Sequence, residues 1–530
     1  MTISDKGQRM SESATDYLLA IDNGTQSVRA MIFDNSGELV AKSKVEIEPY
    51  FSDKPGWAEQ HPEYFWSCLC EACQQLWPKL DFPRERIKAL SVTTQRATVI
   101  ALDKQGQPLC PAITWLDQRQ AKQTPKVGLF TSFAINLIGA RNPAKHFQQQ
   151  AESNWLAEHQ PQLWQQVDKF LLLSGYHNYR LTGCFRDAVA SQVGYLPFDF
   201  KRLKWAKDKN WKWRALSIKP SMLPDLVPAG STIGVVTASA AKETGIPEGL
   251  PVIASGSDKS CEVVGSGCLD DKTASLSYGT TATLNTNSRQ YQEVIRFHPA
   301  YPSLIPDQYN IEMMVQRGYW IVRWFKEQFG HLEQQASKLQ DVSAESLFED
   351  LLKETPAGAM GLMLQPYWSG SGIGSDKEAR GAIIGFSEVH TRAHVYRAII
   401  EGLTYALRES KEQVEKQLGR SIERIIISGG GSQSDQVMQI SADIFGMPVE
   451  RPHTFETSGL GAAIAAAVGV GIYRDFSSAI NAMTRTKDCF FPSPENHTIY
   501  NQLYAQVYQK IYRRLKPSYK AMRSITGYPL

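Results

Sequence analysis

The feature that most constrains this chain is a strand that runs into a glycine turn and out again. Residues 18–34 read Leu-Leu-Ala-Ile-Asp-Asn-Gly-Thr-Gln-Ser-Val-Arg-Ala-Met-Ile-Phe-Asp. The apolar runs 18–21 and 30–33 fit two buried strands. Between them Asn23-Gly24 is a tight-turn dipeptide. Gly24 lets the main chain approach a ligand closely. Thr25, Gln26 and Ser27 offer side-chain donors, and Arg29 adds a cation. Asp22 sets a carboxylate at the strand end, where a phosphate-bound metal could sit. Taken alone, the stretch fits an ordinary hairpin equally well.

The pattern recurs. Residues 274–284 run through Gly279-Thr280 between two strand-like segments, and Ser428-Gly429-Gly430-Gly431-Ser432 follows the apolar run 425–427. Three such loops point to two similar halves gripping one phosphorylated ligand. With 530 residues the chain exceeds a single core, so two large domains are expected. The net charge of +3 and the lack of a long basic run argue against nucleic acid as a partner. Eight cysteines in a chain this long form no disulfide framework. Cys70 and Cys73 make one C-x-x-C beside Cys68, but the segment reads as an apolar helix, so buried thiols are favoured over zinc. This usage points to a reducing, cytoplasmic setting. The run 458–473 is too short for a membrane span and reads as a tightly packed helix, and no membrane association is expected.

In chain order, residues 38–47 continue as a third, antiparallel strand. Residues 62–80 read as a helix, 87–93 as a strand ending at Thr94-Gln95-Arg96-Ala97, and 99–102 as another strand. Trp115-Leu116-Asp117-Gln118-Arg119 gathers aromatic and charged groups. Residues 153–158 and 167–180 read as helical. The strand 251–254 ends at Ser255-Gly256-Ser257-Asp258-Lys259. A single carboxylate at a strand-to-helix turn is a plausible general base; a helix N-cap aspartate is the plainer alternative. The second half starts near residue 273. Residues 394–418 form an amphipathic helix. Residues 437–445 show another helical face, closed by Gly446, whose N-terminus attracts phosphate and is capped by Ser432 or Ser434. Beyond residue 475, two or three helices are expected.

The familiar phosphate and hydrolase motifs are missing: no G-x-x-x-x-G-K-S/T, no G-x-G-x-x-G, no G-x-S-x-G and no H-E-x-x-H. Phosphate loops in both halves with one candidate base suit phosphoryl transfer, where catalysis is mostly positioning and charge stabilisation.

Here the chain resembles the FGGY family of carbohydrate kinases, from about residue 16 to about 490. Asp22-x-Gly24-Thr25-x-Ser27-x-Arg29 is similar to its first phosphate loop. Gly381-Ala-Ile-Ile-Gly385-Phe386, followed by His394-Val-Tyr-Arg-Ala-Ile-Ile-Glu401, is similar to its second signature, with Phe386 where a smaller aliphatic residue is usual. Gly429-Gly430-Gly431-Ser432 through Asp443 is similar to the nucleotide loop and its helix. The resemblance implies an α/β fold of two actin-like, ribonuclease H-like domains, each with a central mixed sheet, flanking a cleft. The expected limits are a polar tail at 1–15, a sugar-binding domain at 16–268, a nucleotide-binding domain at 273–490 and a helical tail at 491–530. By position, Asp258 is the base and Asp22 the acid near Mg2+. Gly24, Thr25, Gln26, Ser27, Arg29, Gly279, Thr280, Gly430, Gly431 and Ser434 serve ATP. Gln95, Arg96, Trp115 and Asp117, with Asp258, serve the sugar. The expected partner is a small sugar, sugar acid or polyol, with a homodimer left open.

The departures bear on substrate. The family's Lys-x-Trp signature before Ser153 is degraded. Glycerol kinase has Gln-Arg-Glu where this chain has Gln95-Arg96-Ala97, and the histidine of xylulokinase is absent there. Lys259 follows the base where Gln or Asn is usual. Ala97 disfavours glycerol, the ketopentose and pentitol class is favoured, and Arg96 with Lys259 would also admit an acidic sugar. The competing reading is a non-catalytic actin-like ATP-binding protein, regulatory or structural.

Overall fold

The computed structural model describes residues 16–279, 281–340, 344–368 and 379–528. The first sheet is built from β1 (Tyr17–Asn23), β2 (Ser27–Asp34), β3 (Leu39–Glu46), β4 (Ile87–Thr94), β5 (Thr232–Val235) and β6 (Pro251–Ile253), in the order β5-β6-β4-β1-β2-β3. β1, β2 and β3 are antiparallel neighbours, as their short turns require, whereas β1 to β4 and β4 to β6 run parallel. The second sheet contains β7 (Thr273–Tyr278), β8 (Ala282–Ser288), β9 (Tyr301–Pro302), β10 (Tyr309–Val315), β11 (Arg424–Ser428), β12 (Val449–Pro452) and β13 (Thr486–Phe490), in the order β9-β10-β8-β7-β11-β12-β13. Its β7, β8 and β10 are again antiparallel, and β7, β11 and β12 again parallel. Two sheets of one topology therefore stand behind the repeated strand-and-turn pattern.

β1 is apolar without alternation because both its faces are covered. Leu19 and Ile21 enter one core with α1 (Pro62–Leu76), while Leu18 and Ala20 enter another. The cover on the second side comes from far along the chain. α2 (Asp258–Gly265) lies against α5 (Thr457–Gly469), whose Leu460, Ile464 and alanines pack with Met31, Phe33 and Ile253. α5 thus belongs by sequence to the second half and by packing to the first sheet. The other two helices needed here are α3 (Arg392–Leu418) and α4 (Asp435–Phe445), which cover the second sheet.

Several elements differ from the sequence expectation. The helix at 62–80 ends as α1 at Leu76, and Pro78 leaves only a tight turn beyond it. The segment 167–180 opens as a strand, Lys169–Leu172, because Val99–Leu102 pairs with its apolar run; the helix is Leu173–Thr182. Beyond residue 475 the chain forms β13 between helices, since the edge of β12 offers it a partner. The tail is no appendage: Tyr500, Tyr504 and Tyr508 are buried in the second core. Arg397 and Glu401 of the second signature pair at 2.8 Å in that core, where Glu401 also accepts from the Tyr500 hydroxyl at 2.8 Å. No helix among the described residues is long and apolar enough to cross a membrane.

α2 and α5 touch backbone to backbone. A Cβ on Gly265 would lie 2.0 Å from the Thr457 carbonyl oxygen, and one on Gly461 would lie 2.0 Å from that of Cys261. Main-chain atoms on both sides leave nothing that can rotate away. Gly461→Val is expected to destabilise the protein by about 3 kcal/mol, the upper end for overpacking. A urea midpoint unchanged from that of the parent would contradict this packing.

Candidate active site

Ligands of parallel sheets bind beyond the carboxyl ends of the strands. In the first sheet Asp22 and Asn23 of β1 lie beside Thr93 and Thr94 of β4, and Thr94 bridges to Ser257 beyond β6. Register thus brings together the Gly24 loop, Gln95-Arg96 and Ser257-Asp258. In the second sheet the parallel neighbours β7 and β11 end at Gly279 and at Gly429-Gly430-Gly431.

Asp22 is buried, with 1% exposure, and its Oδ2 accepts from Arg29 at 2.5 Å. Among the described residues its Oδ1 has no hydrogen-bond partner. Burial pushes its pKa up to about 6; Arg29 opposes the shift, and the carboxylates of Asp258, Glu456 and Glu262 add to it. Arg29 also donates to Glu456 at 2.6 Å, which in turn holds Lys42 at 2.8 Å. Glu456 is the residue before α5, so this ion-pair chain joins the first loop to the helix that crosses between the halves. Gly24 closes the loop through a hydrogen bond to the Ser27 carbonyl at 3.0 Å, and Gln26 stands exposed at its tip.

Asp258 opens α2, and the N-cap is Ser257, whose hydroxyl accepts from the Ser260 amide. The N-cap alternative for Asp258 is therefore set aside. Its Oδ1 accepts from the Lys259 amide at 2.7 Å. Burial raises its pKa, Arg96 and Lys259 pull it down, and Glu262 pushes it up. Lys259 turns toward the other half. Its ammonium bonds Glu262 at 2.6 Å and the Ser277 hydroxyl of β7 at 2.9 Å, and Glu262 accepts from Ser428 of β11 at 2.9 Å. One network thus ties α2 to the strands that lead into both second-half loops. Burial opposes the Lys259 charge, but Glu262, Asp258 and Glu312 outweigh it and raise its pKa.

On the sugar side, Trp115 Nε1 donates to the Thr25 hydroxyl at 3.0 Å, and that hydroxyl donates to Gln95 Oε1 at 3.2 Å. The half-exposed Trp115 is thereby fixed to the first loop. Asp117 is engaged within the protein: its oxygens take three N–H groups of Arg119 and the Ala58 amide. Arg119 also pairs with Glu59 and lies 4.0 Å from the Trp57 ring centre. Asp117 therefore braces the pocket wall in this state rather than offering a free acceptor. Arg96 crosses to the second sheet, donating to Glu312 of β10 at 3.0 Å over the Tyr301 ring. Ala97 has φ 53°, and its amide donates to the Val193 carbonyl at 3.1 Å. The two cations expected to attract an acidic sugar are thus both already paired, Arg96 with Glu312 and Lys259 with Glu262.

The second-half loops need their glycines. Gly429 has φ +86°, and a Cβ there would sit 3.0 Å from Tyr278 main chain; one on Gly431 would lie 2.3 Å from the Tyr319 ring. A Cβ on Gly430 would meet nothing within 4 Å among the described residues, and Gly430 is exposed. Ser434 caps α4, its hydroxyl accepting from the Val437 amide at 3.2 Å. The Gly279 carbonyl accepts from Tyr319 N–H at 3.1 Å, and Thr280 lies outside the described residues.

Paired sheets of one topology, glycine loops on both, and a carboxylate between them define an actin-like phosphotransferase. The comparisons agree. Residues 17–265 match the N-terminal domain of the FGGY family of carbohydrate kinases, and residues 274–470 match its C-terminal domain. An uncharacterised sugar kinase of Escherichia coli K12, YgcE, is 30% identical over 96% of this chain and 97% of its own. A xylulose kinase of Staphylococcus epidermidis is 29% identical over 92% of this chain and 95% of its own. Among solved structures, gluconate kinase from Lactobacillus acidophilus superposes with a TM-score of 0.80 at 23% identity, over 96% of this chain and all of that one, a likeness of fold. The chain belongs to the FGGY family of carbohydrate kinases. It is an enzyme that phosphorylates a sugar at the expense of ATP, and the non-catalytic alternative is set aside.

Sequence reasoning missed Glu312, Glu456 and Tyr301. Each comes from the half of the chain opposite its partner. If Asp258 must be ionised to act, activity falls as pH drops through its pKa. Lys259→Met removes a charge that lowers that pKa, so the acid limb of the kcat/KM profile is expected to move to higher pH. Lys259→Arg is expected to leave the limb in place. An unmoved limb in Lys259→Met would separate Lys259 from the base.

Proposed function

We propose that this kinase transfers the γ-phosphoryl group of ATP to a hydroxyl of a neutral sugar or polyol longer than glycerol, of the ketopentose or pentitol class. The observation that carries the reading is Asp258, set at the head of α2 between the sugar-side Arg96 and the network reaching both second-half loops. Asp258 takes the proton of the attacking hydroxyl, whose oxygen bonds to phosphorus as ADP leaves. Gln95, Arg96 and Trp115 face the sugar, and Asp117 holds the wall behind them. The backbone at Gly24, Gly279, Gly430 and Gly431 and the N-terminus of α4 receive the phosphates.

Mg2+ fits the same place. Asp22 keeps one buried oxygen free of partners, and no group of three or more His, Cys, Asp or Glu among the described residues could hold a metal on protein ligands alone. That donor set suits an ion which keeps waters and shares substrate phosphates. There Asp22 would hold Mg2+, which would neutralise charge on the phosphates.

Substrate class rests on charge and room. An acidic sugar would have to displace Glu312 from Arg96 or Glu262 from Lys259. Glycerol needs its distal hydroxyls held, and Ala97 supplies no acceptor. A lost charge-assisted hydrogen bond is worth roughly 1.5–3 kcal/mol, about ten- to a hundredfold in kcat/KM. The xylulose kinase relatives point to the same class. Sugar-dependent ADP release across D-xylulose, D-ribulose, xylitol, erythritol, glycerol and gluconate is the test. The ketopentoses or pentitols are expected to lead glycerol by at least about tenfold. Glycerol or gluconate as the best substrate would overturn the assignment. Asp258→Asn is expected to keep ATP affinity and lose at least about 100-fold in turnover; near-normal turnover would remove Asp258 from the chemistry.

A further inference from the structure

Three acceptors on one face of the second sheet lack donors. β8 and β10 are antiparallel, with Asn285 directly opposite Glu312. Asn310 lies two residues before Glu312, hence on the same face. All three side chains are buried, yet among the described residues Asn285 Oδ1, Asn310 Oδ1 and Glu312 Oε2 have no hydrogen-bond partner. The Asn285 amide is oriented by its donation to the Thr283 hydroxyl at 3.0 Å, which leaves the oxygen as the idle end. Buried polar atoms without partners are rare in folded proteins. A strip of idle acceptors calls for donors, and sugar hydroxyls are donors.

The strip does not face solvent. Arg96, from the loop after β4 in the other half, reaches across to Glu312 Oε1, and its guanidinium lies 5.3 Å from the Tyr301 ring centre. Glu312 is only 3% exposed. It is close enough to Lys259 to act on its charge, and both Arg96 and Lys259 act on Asp258. The second sheet therefore presents a buried carboxylate that pairs with Arg96 and acts on Lys259, the two cations that act on Asp258.

We propose that Glu312 is a specificity-determining residue: its free Oε2 accepts a hydroxyl of the bound sugar, while its Oε1 keeps Arg96 neutralised against an acidic substrate. The inference rests on the neutral-sugar reading above. The carboxylate that orders the sugar then comes from the half that also carries nucleotide loops, so sugar recognition is complete only when the two halves are apposed. Asn285 and Asn310 extend the acceptor strip along the same face.

The test compares the parent with Glu312→Gln on D-xylulose, xylitol and gluconate, with ATP varied separately. Gln keeps the shape and removes the charge. The KM for the neutral substrates is expected to rise about tenfold or more, with the KM for ATP nearly unchanged. The gluconate-to-xylulose ratio of kcat/KM is expected to rise by a similar factor, because Arg96 is released. A structural brace alone would lower all substrates together and leave that ratio fixed, which would overturn the proposal, as would an unchanged neutral-sugar KM. Ordered water alone on the strip gives the same unchanged KM. Should Glu312→Gln fail to fold, Glu312→Asp retains the charge but draws it back; the neutral-sugar KM is then expected to rise without a gain on gluconate, and parental values for both would overturn the proposal. A parent that turns over gluconate but neither neutral substrate refutes the underlying reading, and this inference with it, before any variant is measured.

Discussion

The contact on which the rest depends is the crossing of α2 and α5. Gly265 and Gly461 bring two backbones together at a distance no side chain tolerates. α2 begins with Asp258, and α5 follows Glu456, the partner of Arg29. Thr457, the first residue of α5, lies against Gly265, the last of α2. A crossing this close fixes the two helices relative to each other, so Asp258 and the first-loop ion pair keep a common frame. Met31 and Phe33 of β2 pack on the same helix pair and carry that frame into the first sheet. Small residues here are thus a condition of the site as well as of the core.

Charge in the cleft is interleaved. Asp22, Glu456, Asp258, Glu262 and Glu312 alternate with Arg29, Arg96 and Lys259, and each of the three cations has a carboxylate within 3.0 Å. Burial alone would drive several of these groups toward neutrality. Pairing reverses this for Glu262 and Glu456: burial pushes their pKa values up, but Lys259 in one case, Arg29 and Lys42 in the other, bring them below the usual carboxylate value. Asp22 and Asp258 remain raised, since the same cations are shared among more acids. The two groups held back from full ionic pairing are the two set closest to the reacting atoms in the proposed function.

Much of the frame could be read from the chain. The apolar runs around Gly24, Gly279 and Gly430 mark strand-turn units because a strand covered on both faces must be apolar throughout. Asp258 stood out as a lone carboxylate at a strand-to-helix turn. What escaped reading is long-range. Glu312 sits in Tyr-Asn-Ile-Glu-Met-Met-Val, which reads as an ordinary strand until Arg96 arrives from 216 residues away. The glycines and alanines of 458–473 announced close packing but not the partner, since small residues specify distance and leave identity open. Only the family resemblance places Asp117 in the sugar pocket, and it does not foresee that Arg119 and the Ala58 amide engage its oxygens.

The interleaving also bears on how phosphate charge is met. A triphosphate entering the cleft finds Arg29, Arg96 and Lys259 each committed to an acid. Borrowing one of them would leave a buried carboxylate uncompensated, which is more costly than never having paired it. Main-chain N–H groups carry no such debt. Glycine loops bring them within reach of a ligand most openly at Gly430; the Gly24 amide is taken by the Ser27 carbonyl, and in the first turn of α4 the Gln436 and Val437 amides are taken by Glu349 and the Ser434 hydroxyl. The sequence carries no P-loop lysine, and the open backbone at Gly430 is the candidate for that part in the proposed function. The side-chain cations stay tied to Asp22, Glu312 and Glu262.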